Sequence, residues 1–368
     1  MLQHLAGSRY FRLQSSTMST QIYQSVLSRN FIATLFLFAI TLFSISGCSE
    51  IDTDRTRESA VFDGEYPIAV TATVGMVADI VKRVGKQHVT VTQLMGAGVD
   101  PHLYNAPRDD VLRIMESDVT FYSGLKLEGK MADTLVKLAN QKPVVPVTEQ
   151  IDRSQLLEPE SMHGHYDPHV WMDVQAWAKC VDVIASTLSQ FDPQHSDDYR
   201  ANADAYLKQL EELHAYGLKA IGSIPPQSRV LITSHDAFNY FGRAYGLEVL
   251  GVQGLSTESE AGLQRINELV NMIVERKIKA VFVESSVSPK NIRALIEGAA
   301  AQDYEVKIGG ELFSDAMGID GTYEGTYVGM LDHNITLVAR ELGGVAPPDG
   351  FLGNLAHAES RSIEKESP

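Results

Sequence analysis

From Tyr66 onward, short apolar runs alternate with stretches whose apolar residues recur at helical spacing, the pattern of parallel α/β units. In the first half the runs predict strands at 68–74, 89–94, 119–122 and 144–147, with helices at 75–84, 107–116, 127–138 and 174–190. The second half repeats the scheme, with strands at 230–233, 248–252, 280–283 and 305–308 and helices at 237–245, 261–276, 289–301 and 325–342. Four strands in each half imply two similar lobes, each a four-stranded parallel sheet flanked by helices. Between them, 196–221 is strongly helix-forming and opens with Ser196-Asp197-Asp198, a plausible cap with acidic residues at the positive end of the helix dipole. At 1.5 Å per residue such a helix spans about 39 Å. One long rigid helix is therefore expected to join the lobes.

The first 47 residues differ in kind. They contain no Asp, Glu or Lys and three arginines, Arg9, Arg12 and Arg29, in a chain whose net charge is −16. Arg29 precedes an apolar run from Phe31 to Phe43 that ends in Ile45-Ser46-Gly47-Cys48. A positive segment, an apolar core and small residues before a cysteine read as a lipoprotein signal peptide, with Cys48 lipidated as the new N-terminus. An uncleaved N-terminal anchor is the alternative, and Met18 is an equally good start. The expected organisation is a signal peptide at 1–47, a flexible tether at 48–65 and lobes at 66–195 and 222–343. The linking helix at 196–221 lies between them, and a loose polar tail at 344–368 follows. Such a protein sits in the periplasm or at the cell surface, anchored to the membrane.

In 368 residues, two lobes are the natural division. The acidic balance argues against a phosphate-backbone binder and suits a cation-seeking protein. With two cysteines, Cys48 and Cys180, neither a disulfide scaffold nor a cysteine-rich zinc module is expected. Cys180 falls on the apolar side of its helix beside Trp177 and reads as a buried small hydrophobe. No His-Glu-x-x-His, Gly-x-Ser-x-Gly or Walker A motif is present.

In parallel sheets ligands bind beyond the carboxyl ends of strands. Asp100-Pro101-His102 follows the second strand, and the same triplet, Asp167-Pro168-His169, follows the fourth. The fifth strand ends in Thr233-Ser234-His235-Asp236, and the eighth leads into Glu311-Leu-Phe-Ser314-Asp315. His102, His169, His235 and Asp315 supply three imidazole nitrogens and a carboxylate, enough for a closed tetrahedral metal site. Proline before the first two histidines stiffens the backbone. A single histidine near a helix start is usually a cap or surface residue, so the set of four, and not any one member, carries the metal assignment. His163 and His165, in a flexible His-Gly-His, could recruit metal but make a poor primary site. His88, His195, His214, His333 and His357 read as structural or solvated. Glu284, closing the seventh strand, reads as a hydrogen-bond anchor behind a ligand.

These motifs, with Gly-Val-Gln-Gly-Leu-Ser-Thr-Glu-Ser-Glu at 251–260 and Phe-Val-Glu-Ser-Ser at 282–286, resemble the TroA/ZnuA-type solute-binding proteins of bacterial zinc and manganese ABC importers. The resemblance covers about 68–343. It implies one metal in the cleft between two lobes, held by His102, His169, His235 and Asp315, as cargo for a membrane permease. Zinc stands first and manganese second. The chain departs from zinc-dedicated relatives in lacking a long histidine-rich loop before His169, and from manganese-dedicated ones in having His235 where they often have Glu. A monomer that is not an enzyme and binds no nucleic acid is expected. The rival readings are a metal-dependent hydrolase, which needs an open coordination position, and an adhesin or metal buffer with the same site but no transporter.

Overall fold

The structure, a computed structural model, describes residues 61–159 and 164–355. The signal peptide, Cys48, His163 and His357 lie outside the described residues. Among the described residues no helix is long and apolar enough to cross a membrane.

The first lobe holds β1 (Ile68–Ala72), β2 (Val89–Gln93), β3 (Val119–Tyr122) and β4 (Val144–Pro146), all parallel, in the order β2-β1-β3-β4. Helices α1 (Gly75–Gly85), α2 (Arg108–Glu116), α3 (Ala132–Leu138) and α4 (Val174–Phe191) accompany them. The second lobe holds β5 (Val230–His235), β6 (Glu248–Gln253), β7 (Ala280–Glu284) and β8 (Lys307–Leu312), with α6 (Asn239–Tyr245), α7 (Leu263–Arg276), α8 (Lys290–Ala300) and α9 (Tyr327–Glu341). Ladder bonds join β5 to β6 and β7 to β8, both parallel, and β5 lies against β7. By ladder bonds the second lobe is thus two two-stranded sheets side by side, not the single four-stranded sheet expected. Register slips between Val281 and Phe282, whose partners are Ile308 and Gly310, so Gly309 is the extra residue of a bulge. Gly310 adopts φ +146, a backbone that favours glycine. The bulge bends β8 just before the segment that carries Asp315.

Between the lobes, α5 (Ser196–Gly222) is one unbroken helix of 27 residues, about 40 Å long. Its buried residues Tyr199, Ala203, Tyr206, Leu210, Leu213 and Gly217 recur every three or four positions. This stripe packs on α1 and α4 of the first lobe and on α9 and α6 of the second. Ser196 is the first helical residue and caps nothing, because the turn Pro193–His195 runs directly into the helix. The helix is not the sole connection. One apolar core continues from Ile68 through Trp171, Trp177, Tyr240 and Tyr327 to Leu342, so both lobes share it. Trp171 and Trp177 meet edge to face at 6.3 Å, and Tyr327 donates to the Trp171 carbonyl at 2.7 Å. A second core, built from Ile232, Ile273, Val281 and Leu295, belongs to the second lobe. Cys180 is free and buried in the shared core.

Two segments expected to be loose are docked where the structure describes them. Phe62 donates its N–H to the Phe191 carbonyl at 2.6 Å and packs on that ring, which ties the end of the tether to α4. Beyond α9, Phe351 stacks on Tyr216 at 5.4 Å and its N–H donates to Asp332, so the tail as far as Leu355 covers the second lobe. Their polar neighbours masked single aromatic anchors.

Gly217 has a packing role. A Cβ there would lie 2.6 Å from the buried Tyr245 ring of α6. Gly217→Ala should therefore destabilise the protein by about 1–2 kcal/mol, because overpacking outweighs the ~1 kcal/mol that alanine gains in helix propensity. Thermal unfolding of the metal-free protein checks this; a raised melting temperature would contradict it.

Candidate metal centre

All four expected donors gather where the lobes meet. His102 comes from the loop after β2, and His169 opens the short turn Val170–Met172 before α4. His235 is the last residue of β5, and Asp315 lies three residues beyond β8. One ligand atom from each falls within 4.8 Å of all the others, and all four residues are buried. His102 Nε2 stands 3.2 Å from His169 Nε2 and 3.8 Å from Asp315 Oδ2. His169 Nε2 is 3.4 Å from Asp315 Oδ1, and His235 Nε2 is 3.2 Å from Asp315 Oδ2. Around an ion held at 2.0–2.1 Å, tetrahedral donors stand about 3.3 Å apart. The closest of these distances, 3.2–3.4 Å, are of that size. His235 Nε2 and both Asp315 oxygens are buried with no hydrogen-bond partner, despite their ion-pair distances. Atoms crowded together yet misaligned for hydrogen bonds point at a common centre.

The repeated Asp-Pro-His triplet has a local cause. In each, the aspartate Oδ1 accepts the backbone N–H of the histidine two residues on, at 2.9 Å in both Asp100–His102 and Asp167–His169. Asp167 does more, because its Oδ1 also lies 2.7 Å from His169 Nδ1, which turns Nε2 toward the centre. Asn239 of the second lobe donates to the other Asp167 oxygen at 3.1 Å, and Tyr240 donates to the Asp167 carbonyl at 3.0 Å. Glu284 treats His235 in the same way, accepting its N–H at 2.9 Å and approaching Nδ1 at 2.6 Å. Asp315 is positioned through its backbone neighbours. Asn334 brackets Phe313 by accepting its N–H at 3.0 Å and donating to its carbonyl at 2.7 Å. Trp171 donates across the lobes to the Ser314 carbonyl at 2.9 Å. Asp100, Asp167, Asn239 and Asn334 escaped sequence reasoning. The aspartates were visible in the triplet, where stiffness was assigned to proline alone.

Electrostatics separate the three imidazoles. Burial pushes His102 down to about 4. Burial acts the same way on His169, but the Asp167 and Asp315 carboxylates outweigh it and hold that imidazole up to about 9. For His235, too, burial is overcome by Glu284 and Asp315, which raise it well above its ordinary value. Burial would raise the Asp315 carboxyl, yet His235, His169 and His102 hold it well below the usual range. The carboxylates thus favour the protonated form of His169 and His235 around Asp315, whereas burial favours the neutral form of His102.

The other described histidines take no part. His165 lies 2.9 Å from Lys126 Nζ at the rim, and His88 stacks on His195 at 3.9 Å beside Asp198 and Asp192. His214 packs on Tyr245, and His333 contacts the Glu311 carbonyl.

The family model for zinc-uptake complex component A, periplasmic, matches residues 70–340. The manganese-binding lipoprotein MntA of Bacillus subtilis is 48% identical over 300 residues, which covers 82% of this chain and 95% of that protein. The zinc-binding protein TroA of Treponema pallidum is 47% identical over 283 residues, 77% of this chain and 91% of that one. The solved structure of the periplasmic zinc-binding protein TroA from Treponema pallidum superposes with a TM-score of 0.73 at 45% identity, covering 75% of this chain and 99% of its own. Fe(III)-bound YtgA from Chlamydia trachomatis gives a TM-score of 0.69 at 28% identity, covering 76% of this chain and 99% of that one. The chain belongs to the ZnuA family of zinc-uptake complex components.

Proposed function

We propose that this protein is an extracytoplasmic receptor that captures one divalent metal ion with His102, His169, His235 and Asp315 and hands it to the permease of an ABC importer. The observation that carries this is the convergence of four buried donors within 4.8 Å of one another, with three of their atoms lacking a hydrogen-bond partner. The metal is cargo. Four protein ligands complete a tetrahedral shell and leave no position for an activated water, so the site does no hydrolytic chemistry. All four donors come from one chain, so a monomer suffices to hold the ion. Lipidation of Cys48 anchors it to the membrane, and the segment through residue 61 serves as its leash.

Three imidazoles and one carboxylate suit zinc by ligand type and by the Irving-Williams order. A manganese cargo is favoured by one specific feature: both Asp315 oxygens face the centre, Oδ1 toward His169 and Oδ2 toward His235, so the carboxylate can bind through both and raise the coordination number. MntA of Bacillus subtilis is named as manganese-binding and TroA of Treponema pallidum as zinc-binding, and both are similar to this chain to nearly the same degree. Metal analysis of protein isolated from its native envelope distinguishes the two cargoes.

Titration of the metal-free protein with zinc should give one ion per chain, and His169→Ala should lose far more affinity than any substitution outside the four donors. A stoichiometry of two, or wild-type affinity in His169→Ala, would falsify the assignment. Glu284→Gln keeps the shape of the side chain but removes the charge that orients His235, and should weaken zinc by about 10–100-fold. An unchanged affinity would mean that the Glu284 contact is a packing detail.

The pH dependence follows from the separation of the imidazoles. Between pH 5 and 7.5 His102 is already neutral, whereas His169 and His235 carry protons that zinc must expel. Acid favours the protonated, metal-free form, so affinity falls as pH falls, by about 100-fold per pH unit for two displaced protons. Three ordinary imidazoles would instead give up to a thousandfold per unit, and only below about 6.5. Calorimetry in buffers of different ionisation enthalpy counts the protons released; a flat profile would remove the histidines from the site.

A further inference from the structure

Of the three imidazoles, His102 is held least directly. His169 and His235 each have a carboxylate on Nδ1, at 2.7 and 2.6 Å. Among the described residues no carboxylate meets His102 Nδ1, and its anchor is the backbone contact of its N–H with Asp100 Oδ1 at 2.9 Å. The other Asp100 oxygen accepts the Thr257 hydroxyl, which comes from the opposite lobe. The carboxylate that places His102 is thus shared with the segment between β6 and α7.

That segment is fixed at its base and reaches across at its tip. At the base, the Gly251 N–H donates to Asp236 Oδ1 at 2.8 Å, and the Gly251 carbonyl accepts from Arg265 Nη2 at 2.8 Å. Gln253 donates to the Ser259 carbonyl at 3.0 Å, which braces the turn internally. At the tip, Thr257 meets Asp100, and Glu258 faces Lys130 of the first lobe at 3.9 Å. The Glu258–Lys130 pair is half exposed and contributes little. The Thr257–Asp100 contact is partly buried and has a carboxylate acceptor, the stronger kind of hydrogen bond. Beneath the tip lies a cavity of about 370 Å³ lined by His102, Leu127, Pro168, Leu255, Ser256 and Glu258. His102 alone of the four donors lines it, so an ion that exchanges by this path passes His102 first.

We propose that Thr257 and Asp100 form a clasp that holds His102 over the metal and sets how long the ion stays, Thr257 being a positioning residue that never touches the ion. The proposal rests on His102 being a ligand. While the clasp is shut, Asp100 keeps the His102 backbone in place. When the loop tip lifts, Asp100 loses its second partner, His102 gains freedom, and the pocket beside it, already open to solvent, widens at the same moment. Metal capture from solution and release to a permease are then the same loop movement in opposite directions. Because the other three donors are tied within the shared core, they remain assembled throughout.

Zinc dissociation into excess chelator, followed by stopped flow on the full chain, tests this after wild-type protein is shown to bind one zinc. Absence of that binding would overturn the site assignment and with it the clasp. Thr257→Val keeps the shape of threonine and removes the hydroxyl; its dissociation rate should rise on the order of tenfold. Thr257→Ser keeps the hydroxyl and should stay within about twofold of wild type. In the double variant Asp100→Ala/Thr257→Val, the valine should add almost nothing to the effect of the alanine, since the two residues act through one contact. A Thr257→Val rate equal to wild type, with one zinc still bound, overturns the clasp while leaving the ligands intact. A Thr257→Ser rate as fast as Thr257→Val would also overturn it, since packing and not the hydroxyl would then be responsible. Metal-free melting temperatures within about 2 °C of wild type are expected for both threonine variants, as neither changes a fully buried side chain.

Discussion

The Asp315 carboxylate is buried with its two oxygens facing imidazole rings, and the rest of the site is arranged around that fact. An isolated carboxylate out of water is among the costliest groups a protein can hold. Here it is offset by imidazolium charge on His169 and His235, which are themselves kept charged by Asp167 and Glu284 behind them. Carboxylate, imidazole and carboxylate form two chains that cross at Asp315. A divalent cation satisfies the same crossing with two positive charges at one point. On the proposed assignment, protons and metal would therefore compete for a single place, and a doubly charged ion would match the charge of that place better than a singly charged one.

Such a crossing is useful only if its geometry outlasts the loss of the ion. The shared apolar core provides that persistence. Trp171 reaches from the first lobe to the Ser314 carbonyl, and Tyr240 reaches back from the second lobe to the Asp167 carbonyl. Tyr327 closes the ring at the Trp171 carbonyl. Each is a large aromatic side chain whose ring is buried in the core and whose one polar atom ends beside a donor segment. The long helix α5 adds stiffness, but the lobes are held as much by these aromatic staples as by the helix. Whole-lobe rotation would have to break several buried hydrogen bonds together, whereas a surface loop can move by breaking one.

Much of this was legible in the sequence because it rests on local rules. The eight strands lie within a few residues of the positions that apolar runs predict, and the four donors stand at strand ends, where parallel α/β units place ligands. What escaped was set by pairs of residues far apart along the chain. Asn239 and Asn334 are polar residues on helices, with nothing nearby to mark them as props for His169 and Asp315. Phe62 and Phe351 sit in polar surroundings, and only their distant partners Phe191 and Tyr216 explain their docking. The protonation of the site was equally hidden. Three histidines of identical ordinary pKa become one low and two high, according to which carboxylates the fold brings to each.

The two Asp-Pro-His triplets show how one local motif serves opposite ends. In both, the aspartate pins the histidine backbone two residues on, so the local turn is the same. The difference lies in the aspartate's second oxygen. For Asp167 it is held by Asn239 inside the molecule, and the first oxygen has turned to the ring, so His169 is fixed twice over. For Asp100 it is spent on a threonine at a loop tip, and the His102 ring is left facing His169 Nε2 with no carboxylate behind it. A receptor that must bind tightly and still let go needs both kinds of ligand. On the assignment proposed above, the donors held by buried carboxylates would define where the ion sits, and His102, tied to a loop tip, would decide when it can leave.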